Sequence, residues 1–213
     1  MNPNDVSNPA LDAHYWESRY QQQDTPWDAS AITEPLKTYI DNLVATEAAQ
    51  HPDFFQMVIL VPGAGSGYEA EYLHRLGFQN VWVVDMAQAP LQALQARVPS
   101  FEAKYLVECD FFKFEKENYF DLIIEQTFFC ALNPTLRQDY VQKMASLLKP
   151  NGILAGLLFD FPLKKEGDPP YGGCKQEYET YFAPYFHIKK IEPCYNSIKP
   201  RAGKELFFIL RKT

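Results

Sequence analysis

Met57 to Tyr68, M-V-I-L-V-P-G-A-G-S-G-Y, and Asp85 at the end of the next apolar run decide how this chain folds. Val58 to Val61 are a short unbroken run of β-branched residues and leucine, the composition of a strand buried on both faces of a parallel sheet. Gly63, Gly65 and Gly67 follow immediately. Glycine there lets the chain turn sharply and lets a ligand approach the backbone without meeting a Cβ. Apolar residues recur at helical spacing from Tyr68 to Leu76, so the loop presents free N–H groups at a helix N-terminus. Asp85 closes a second strand, Val81 to Val84, roughly twenty residues beyond the glycines, where a carboxylate can accept both hydroxyls of a ribose. The stretch reads as a nucleotide or nucleoside site, with a tight turn that binds nothing as the competing reading of the loop alone.

The glycine spacing narrows the ligand. A dinucleotide fingerprint starting at Gly63 and Gly65 requires a third glycine at position 68, which is Tyr68. The G-x-G-x-G loop followed by an acidic second strand resembles the first motif of class I S-adenosylmethionine-dependent methyltransferases, whose cofactor carries a ribose and no pyrophosphate.

Composition fits one soluble globular domain over residues 1–213, with 46% hydrophobic and 22% charged residues. No apolar run is long enough to cross a bilayer, and the N-terminus lacks the basic and apolar regions of a signal peptide, so a cytoplasmic location is expected. A net charge of −7 opposes general affinity for nucleic acid or anionic lipid. A small-molecule partner is expected, no nucleic acid or membrane, and a monomer, with the oligomeric state left open. Cys109, Cys130, Cys174 and Cys194 show no C-x-x-C spacing and the histidines never pair at ligand distance, so no metal site is expected.

Residues 1–11 are polar and proline-bearing and are expected to be mobile; residues 12–50 are expected to form a helical lid. The line A-H-Y-W-E-S-R-Y-Q-Q-Q-D-T-P-W-D puts Trp16 and Tyr20 on one helix face, with Trp27 in the following loop. These aromatics read either as a hydrophobic cap on the sheet or as a cover whose ring faces attract a sulfonium cation and exclude water. Pro35 to Ala49 reads as a second helix. Pro90 to Arg97 is another helix, Tyr105 to Cys109 a third strand, and Phe120 to Glu125 a fourth. Pro134 to Leu148 is a helix ended by a turn at Lys149 to Gly152, and Ile153 to Phe159 is the fifth strand. After a Gly/Pro loop and a helix near Glu177 to Phe182, runs at Phe186 to Glu192 and Leu206 to Arg211 close the chain as a β-hairpin. The alternation predicts an α/β fold: a mostly parallel seven-stranded sheet, helices on both faces and a C-terminal antiparallel hairpin. Ligands then bind beyond the carboxyl ends of the strands, where Pro62 to Gly67 with Ala64, Asp85 and Met86, Asp110 and Phe111, and Glu125 to Phe129 converge. Asp110 there reads either as a partner for an adenine amine or as a turn cap.

With W-E-S-R-Y-Q-Q-Q-D-T-P-W-D, L-V-P-G-A-G-S-G-Y-E-A, F-D-L-I-I-E-Q-T-F-F-C-A-L-N-P, L-L-K-P-N-G, G-D-P-P-Y and S-I-K-P-R-A-G-K-E in this order, the chain resembles the thiopurine S-methyltransferase family. It looks closest to the branch of plant halide and thiol methyltransferases. The resemblance implies the class I methyltransferase (Rossmann-like) fold and S-adenosylmethionine as cofactor. It also implies cofactor enclosure by Trp16, Trp27 and Tyr20, the last standing where the family usually has tryptophan. Gly63, Ala64, Gly65 and Met86 would contact the cofactor, Asp85 its ribose, and Asp110 and Phe111 its adenine side. Gln126 stands where relatives carry tyrosine or arginine near the cofactor.

Methyl transfer from a sulfonium is an in-line displacement, and a thiolate or halide brings no proton to remove, so no catalytic base is assigned. Phe128, Phe129 and Tyr171 are candidates for the wall of the acceptor pocket, with core packing the alternative for the two phenylalanines. The expected activity is methylation of a thiol, bisulfide, thiopurine or halide. The alternatives are a cofactor-binding module without turnover and, disfavoured by Tyr68, a nicotinamide-dependent oxidoreductase.

Overall fold

The computed structural model describes residues 11–164 and 167–213, so the expectation for the first ten residues lies outside the described residues. Strand β1 (Val58–Pro62) is buried along nearly its whole length, as its unbroken apolar run predicts. It pairs in parallel with β2 (Asn80–Asp85) on one side and β4 (Phe120–Gln126) on the other. With β3 (Leu106–Glu108), β5 (Leu148–Phe159), β6 (Phe186–Pro193) and β7 (Glu205–Lys212), the sheet has seven strands in the order β3-β2-β1-β4-β5-β7-β6. Six strands run in one direction and β7 alone runs against them, between β5 and β6, so the closing hairpin inserts its second strand into the sheet. Chain order reverses direction between β1 and β4, and this opens a crevice above their carboxyl ends.

Helices α1 (Ala13–Gln21), α2 (Glu34–Glu47), α3 (Tyr68–Arg75), α4 (Gln88–Arg97), α5 (Arg137–Leu147) and α6 (Lys175–Phe182) complete the architecture. Two apolar clusters sandwich the sheet. One joins Leu36 and Ile40 of α2, Leu73 of α3 and Leu94 of α4 to Ile59 and Val83; the other joins Tyr140 and Met144 of α5 and Phe182 of α6 to Leu60 and Phe208. Among the described residues no helix is long and apolar enough to cross a membrane.

Two boundaries differ from expectation for local reasons. Tyr105 belongs to a 3-10 turn, Ala103–Tyr105, and the third strand keeps only three residues. Lys149 to Gly152 does not end a helix before the fifth strand but lies within β5: Leu148 pairs with Phe120 and Ile153 with Leu122, so the intervening residues bulge outward, with Asn151 at φ 65°.

Candidate functional site

The glycine loop, the tips of β2 and β4, and the N-terminal aromatics bound one cleft of 1060 Å³. Gly63, Gly65 and Gly67 all have positive φ, at 55°, 51° and 70°, so the loop takes a path that residues with a Cβ adopt only with strain. At Gly63 space matters as well: a Cβ would lie 2.1 Å from Cδ2 of Phe128, whose ring covers the loop. The loop is fastened to the second strand. The Gly63 N–H donates to the Val84 carbonyl at 2.7 Å, and the Gly65 N–H to Oδ2 of Asp85 at 3.2 Å. The other oxygen of Asp85 accepts from the Ala87 N–H at 2.9 Å. Asp85 is 8% exposed, and burial pushes its carboxyl up to about 6 against the backbone N–H bonds that lower it. A carboxylate has about four lone-pair sites, so these backbone contacts leave Asp85, which borders the cleft, able to accept more.

The N-terminal segment lies over this loop. Trp27 packs edge-on against Trp16 and Tyr20, with ring centroids 5.4 and 5.7 Å apart, and the Arg19 guanidinium sits 5.2 Å from the Trp27 ring. A Cβ on Gly65 would meet the Tyr20 hydroxyl at 3.2 Å and Nε1 of Trp27 at 3.9 Å. Of the two readings of these aromatics, the structure shows a cover over the cleft. Burial and the Asp85 charge push the Tyr20 phenol up. Three polar residues pin the cover. Asp28 accepts from the hydroxyl of Ser66 and, at 3.5 Å, that of Tyr68; Glu17 accepts from the N–H groups of Gln88 and Ala89 at 2.8 and 3.0 Å, at the start of α4; and Arg201 donates from Nη2 to the Trp27 carbonyl at 2.7 Å. The bond from Ala89 is the largest influence on the Glu17 carboxyl, which lies below its ordinary value.

Trp16, Tyr20, Trp27, Gly63, Ala64, Gly65, Asp85, Met86, Asp110, Phe111, Gln126 and Phe128 all line the cleft. Asp110 also caps its turn, accepting the Phe112 N–H at 3.0 Å, so the cap reading and the cleft position hold together. Gln126 accepts from the Thr33 hydroxyl at 3.0 Å, while its buried amide nitrogen has no partner among the described residues.

Two residues are corrected: Phe129 and Tyr171 do not line the cleft. At the 3-10 turn Phe129–Ala131 the consecutive phenylalanines differ in what they meet. Phe128 faces the glycine loop, whereas Phe129 is 1% exposed and packs edge-on against Tyr140 at 4.9 Å. Tyr171, also 1% exposed, is held behind the wall by its N–H to the Cys130 carbonyl and its hydroxyl to the Gly167 carbonyl, both at 2.8 Å; Pro169 and Pro170 reach the cleft instead.

Sequence reading passed over Glu17, Asp28, Thr33, Glu69, Thr127 and Arg201. Glu17, Asp28, Glu69 and Arg201 lie within stretches that carry the family resemblance, Glu69 two residues beyond the last glycine of the loop. Thr127 lies within the rim segment Glu125 to Phe129 without being singled out: a β-branched residue at φ 59°, it strains the backbone where β4 ends and Phe128 is aimed over Gly63. Cys130 borders the cleft, but burial pushes its thiol far above the range of a reactive cysteine.

A carboxylate at the tip of the second strand, the apolar side chains of Met86 and Phe111 beside it, and an aromatic cover suit a ribose, a base and a sulfonium in that order. Fold and cleft together define a class I methyltransferase, with S-adenosylmethionine as its cofactor. The model of the thiopurine S-methyltransferase family matches residues 11–207, and the chain belongs to that family. It is 32% identical over 194 residues to the probable thiol methyltransferase 2 of Arabidopsis thaliana, covering 89% of this chain and 81% of that one. It is 31% identical over 196 residues to thiocyanate methyltransferase 1 of Brassica oleracea, with the same 89% and 81% coverage. Among solved structures, the fold matches 1,6-didemethyltoxoflavin-N1-methyltransferase of Burkholderia thailandensis, crystallised with S-adenosylhomocysteine, at a TM-score of 0.71 and 19% identity over 98% of this chain and 93% of that chain. A methyltransferase from Aquifex aeolicus matches at 0.62 and 16%, over 92% and 98%.

Proposed function

We propose that this chain methylates a small soft nucleophile, a thiol, bisulfide, thiopurine, thiocyanate or halide, by in-line displacement. One observation carries the reading: the glycine loop and Asp85 are joined by the Gly65 contact within one cleft that Tyr20 and Trp27 cover. S-Adenosylmethionine supplies a methyl group on a sulfonium, and losing it leaves a neutral thioether. Asp85 accepts the ribose hydroxyls, Met86, Asp110 and Phe111 border the adenine, and Gly63 to Gly65 leave room for the rest. Trp16, Tyr20 and Trp27 exclude water and present ring faces to the positive charge. Phe128 and the prolines Pro169 and Pro170 line the remaining space, an apolar setting that strips solvent from a soft nucleophile. The names of the two plant relatives, a thiol and a thiocyanate methyltransferase, support this choice of acceptor.

Two measurements test it. S-Adenosylhomocysteine at about 100 times its Kd should stabilise the fold by about 2.7 kcal/mol. For a chain of this size that raises Tm by roughly 5–10 °C. Labelled methyl donor should then label at least one of bisulfide, iodide, thiocyanate and a thiopurine. A folded sample that shows no shift and labels none of them would refute the proposal.

A further inference from the structure

Among the buried ionisable groups that border the cleft, Glu69 in the first turn of α3 is set apart by its lack of partners. It is 5% exposed, and the one hydrogen bond to its carboxylate among the described residues comes from its own backbone N–H. The charged groups that face it each have another partner, and none hydrogen-bonds to it among the described residues, although Nη1 of Arg201 makes no hydrogen bond there either. Asp28, from the covering loop, holds the Ser66 and Tyr68 hydroxyls. Glu125, near the end of β4, holds the Tyr140 hydroxyl and the N–H groups of Phe128 and Phe129. Arg201, from the turn before β7, holds the Trp27 carbonyl and lies 3.5 Å from Glu205. A buried carboxylate whose lone pairs are left to the cleft is costly unless it serves something that enters the cleft.

Resting on the methyl-transfer reading above, we propose that Glu69 is the proton acceptor for the nucleophile, so that the cleft is built for thiols that arrive protonated rather than for halides or thiocyanate. This replaces the expectation that no base is needed. Glu69 takes the proton from the thiol as the S–H bond breaks. The sulfur lone pair so released forms the new C–S bond while the bond between methyl and sulfonium breaks, and that electron pair leaves with the departing sulfur as a neutral thioether. The acid form of Glu69 then returns its proton to water when the methylated product leaves.

The electrostatics agree with this division of acceptors. Burial pushes the Glu69 carboxyl up to about 7, against the opposing pull of Arg201. That lies within about two units of a cysteine-like thiol, near 8.5, and proton transfer is most effective between matched partners. Iodide and thiocyanate bring no proton, and an ionised Glu69 beside the compensated Arg201–Glu205 pair repels them. Activity toward thiols should therefore rise with pH through about 7, whereas activity toward iodide should stay level or fall over the same range.

The test uses the full chain, with 2-mercaptoethanol and iodide as acceptors, from pH 5.5 to 9. For the wild type the two pH profiles should diverge as stated. In Glu69→Gln the ratio of kcat/KM for thiol to that for iodide should fall about 100-fold or more at pH 7. The deficit should shrink toward pH 9 as the thiol ionises unaided, and Glu69→Asp should restore part of the ratio. An equal loss for both acceptors, accompanied by weaker S-adenosylhomocysteine binding, would overturn the proposal by placing Glu69 against the cofactor. Parallel wild-type profiles would overturn it without any variant. Wild-type turnover of iodide with none of the thiol overturns it and leaves the methyl-transfer reading standing; turnover of neither, in a sample that binds S-adenosylhomocysteine, removes both.

Discussion

Replacing Gly63 with alanine perturbs the loop in two separable ways. The residue sits at φ 55°, and holding a side chain in that left-handed region costs about 1–2 kcal/mol. The added Cβ would also lie 2.1 Å from Cδ2 and 2.4 Å from Cγ of Phe128. That ring has nowhere to retreat, because Phe111 stands 5.1 Å and Tyr140 5.9 Å from its centroid on the inner side. It must turn into the cleft, and overpacking of this kind costs about 1–3 kcal/mol. Together the effects should lower stability by about 2–5 kcal/mol, or Tm by roughly 5–15 °C for a chain of this length. Gly203 supplies the control: its φ is 72°, but a Cβ there meets nothing within 4 Å, so Gly203→Ala carries the backbone cost alone. Urea unfolding of both variants measures the difference, and calorimetric titration with S-adenosylhomocysteine should show at least a tenfold loss of affinity confined to Gly63→Ala, about 1.4 kcal/mol. Equal destabilisation of the two variants with unchanged affinity would refute the claim that Phe128 and the glycine loop form one wall.

Further outcomes follow from other contacts. Asp85→Ala removes the acceptor for the Gly65 and Ala87 N–H groups and for the ribose, and should weaken S-adenosylhomocysteine binding at least tenfold, by titration calorimetry. Glu17→Gln removes the charge that holds α1 on the start of α4, and should speed cofactor release several-fold in stopped-flow tryptophan fluorescence while leaving Tm nearly unchanged. Asp85, pushed up to about 6, and Glu69 and Glu125, each up to about 7, bind protons in the folded chain at pH values where the unfolded chain has lost them. Their contribution to stability therefore falls as pH rises, and the ligand-free protein should melt at higher temperature at pH 5.5 than at 7.5, by scanning calorimetry; the opposite slope would contradict it. Arg137, 1% exposed, donates to Glu177 at 2.7 Å and to the Gly172 carbonyl at 2.6 Å, so Arg137→Ala should cost about 3 kcal/mol in urea unfolding.

What the sequence made legible was local in origin. The path of the loop follows from three glycines directly after an apolar strand, and Asp85 from its place at the end of the next. Trp16 and Tyr20 share a helix face by spacing alone. The assignments that failed depended on side-chain direction within short irregular turns: Phe128 and Phe129 are adjacent and both touch Tyr140, yet only Phe128 borders the cleft, and a 3-10 turn of three residues has no periodicity from which to read this. The contacts passed over join residues far apart in the chain. Arg201 reaches the Trp27 carbonyl across 174 residues and Glu17 reaches Ala89 across 72, so neither polar group announces its role by spacing. Glu69 was hidden for another reason, since in sequence it is an ordinary acidic residue in the first turn of a helix and only burial makes it unusual.

The most direct test of the central claim is a crystal structure with S-adenosylhomocysteine bound. The ribose hydroxyls should rest on Asp85, the adenine beside Met86 and Phe111, and the sulfur beneath the rings of Tyr20 and Trp27, facing Phe128. A cofactor held elsewhere, or a cleft that stays filled by the protein's own aromatic side chains at saturating ligand, would contradict it.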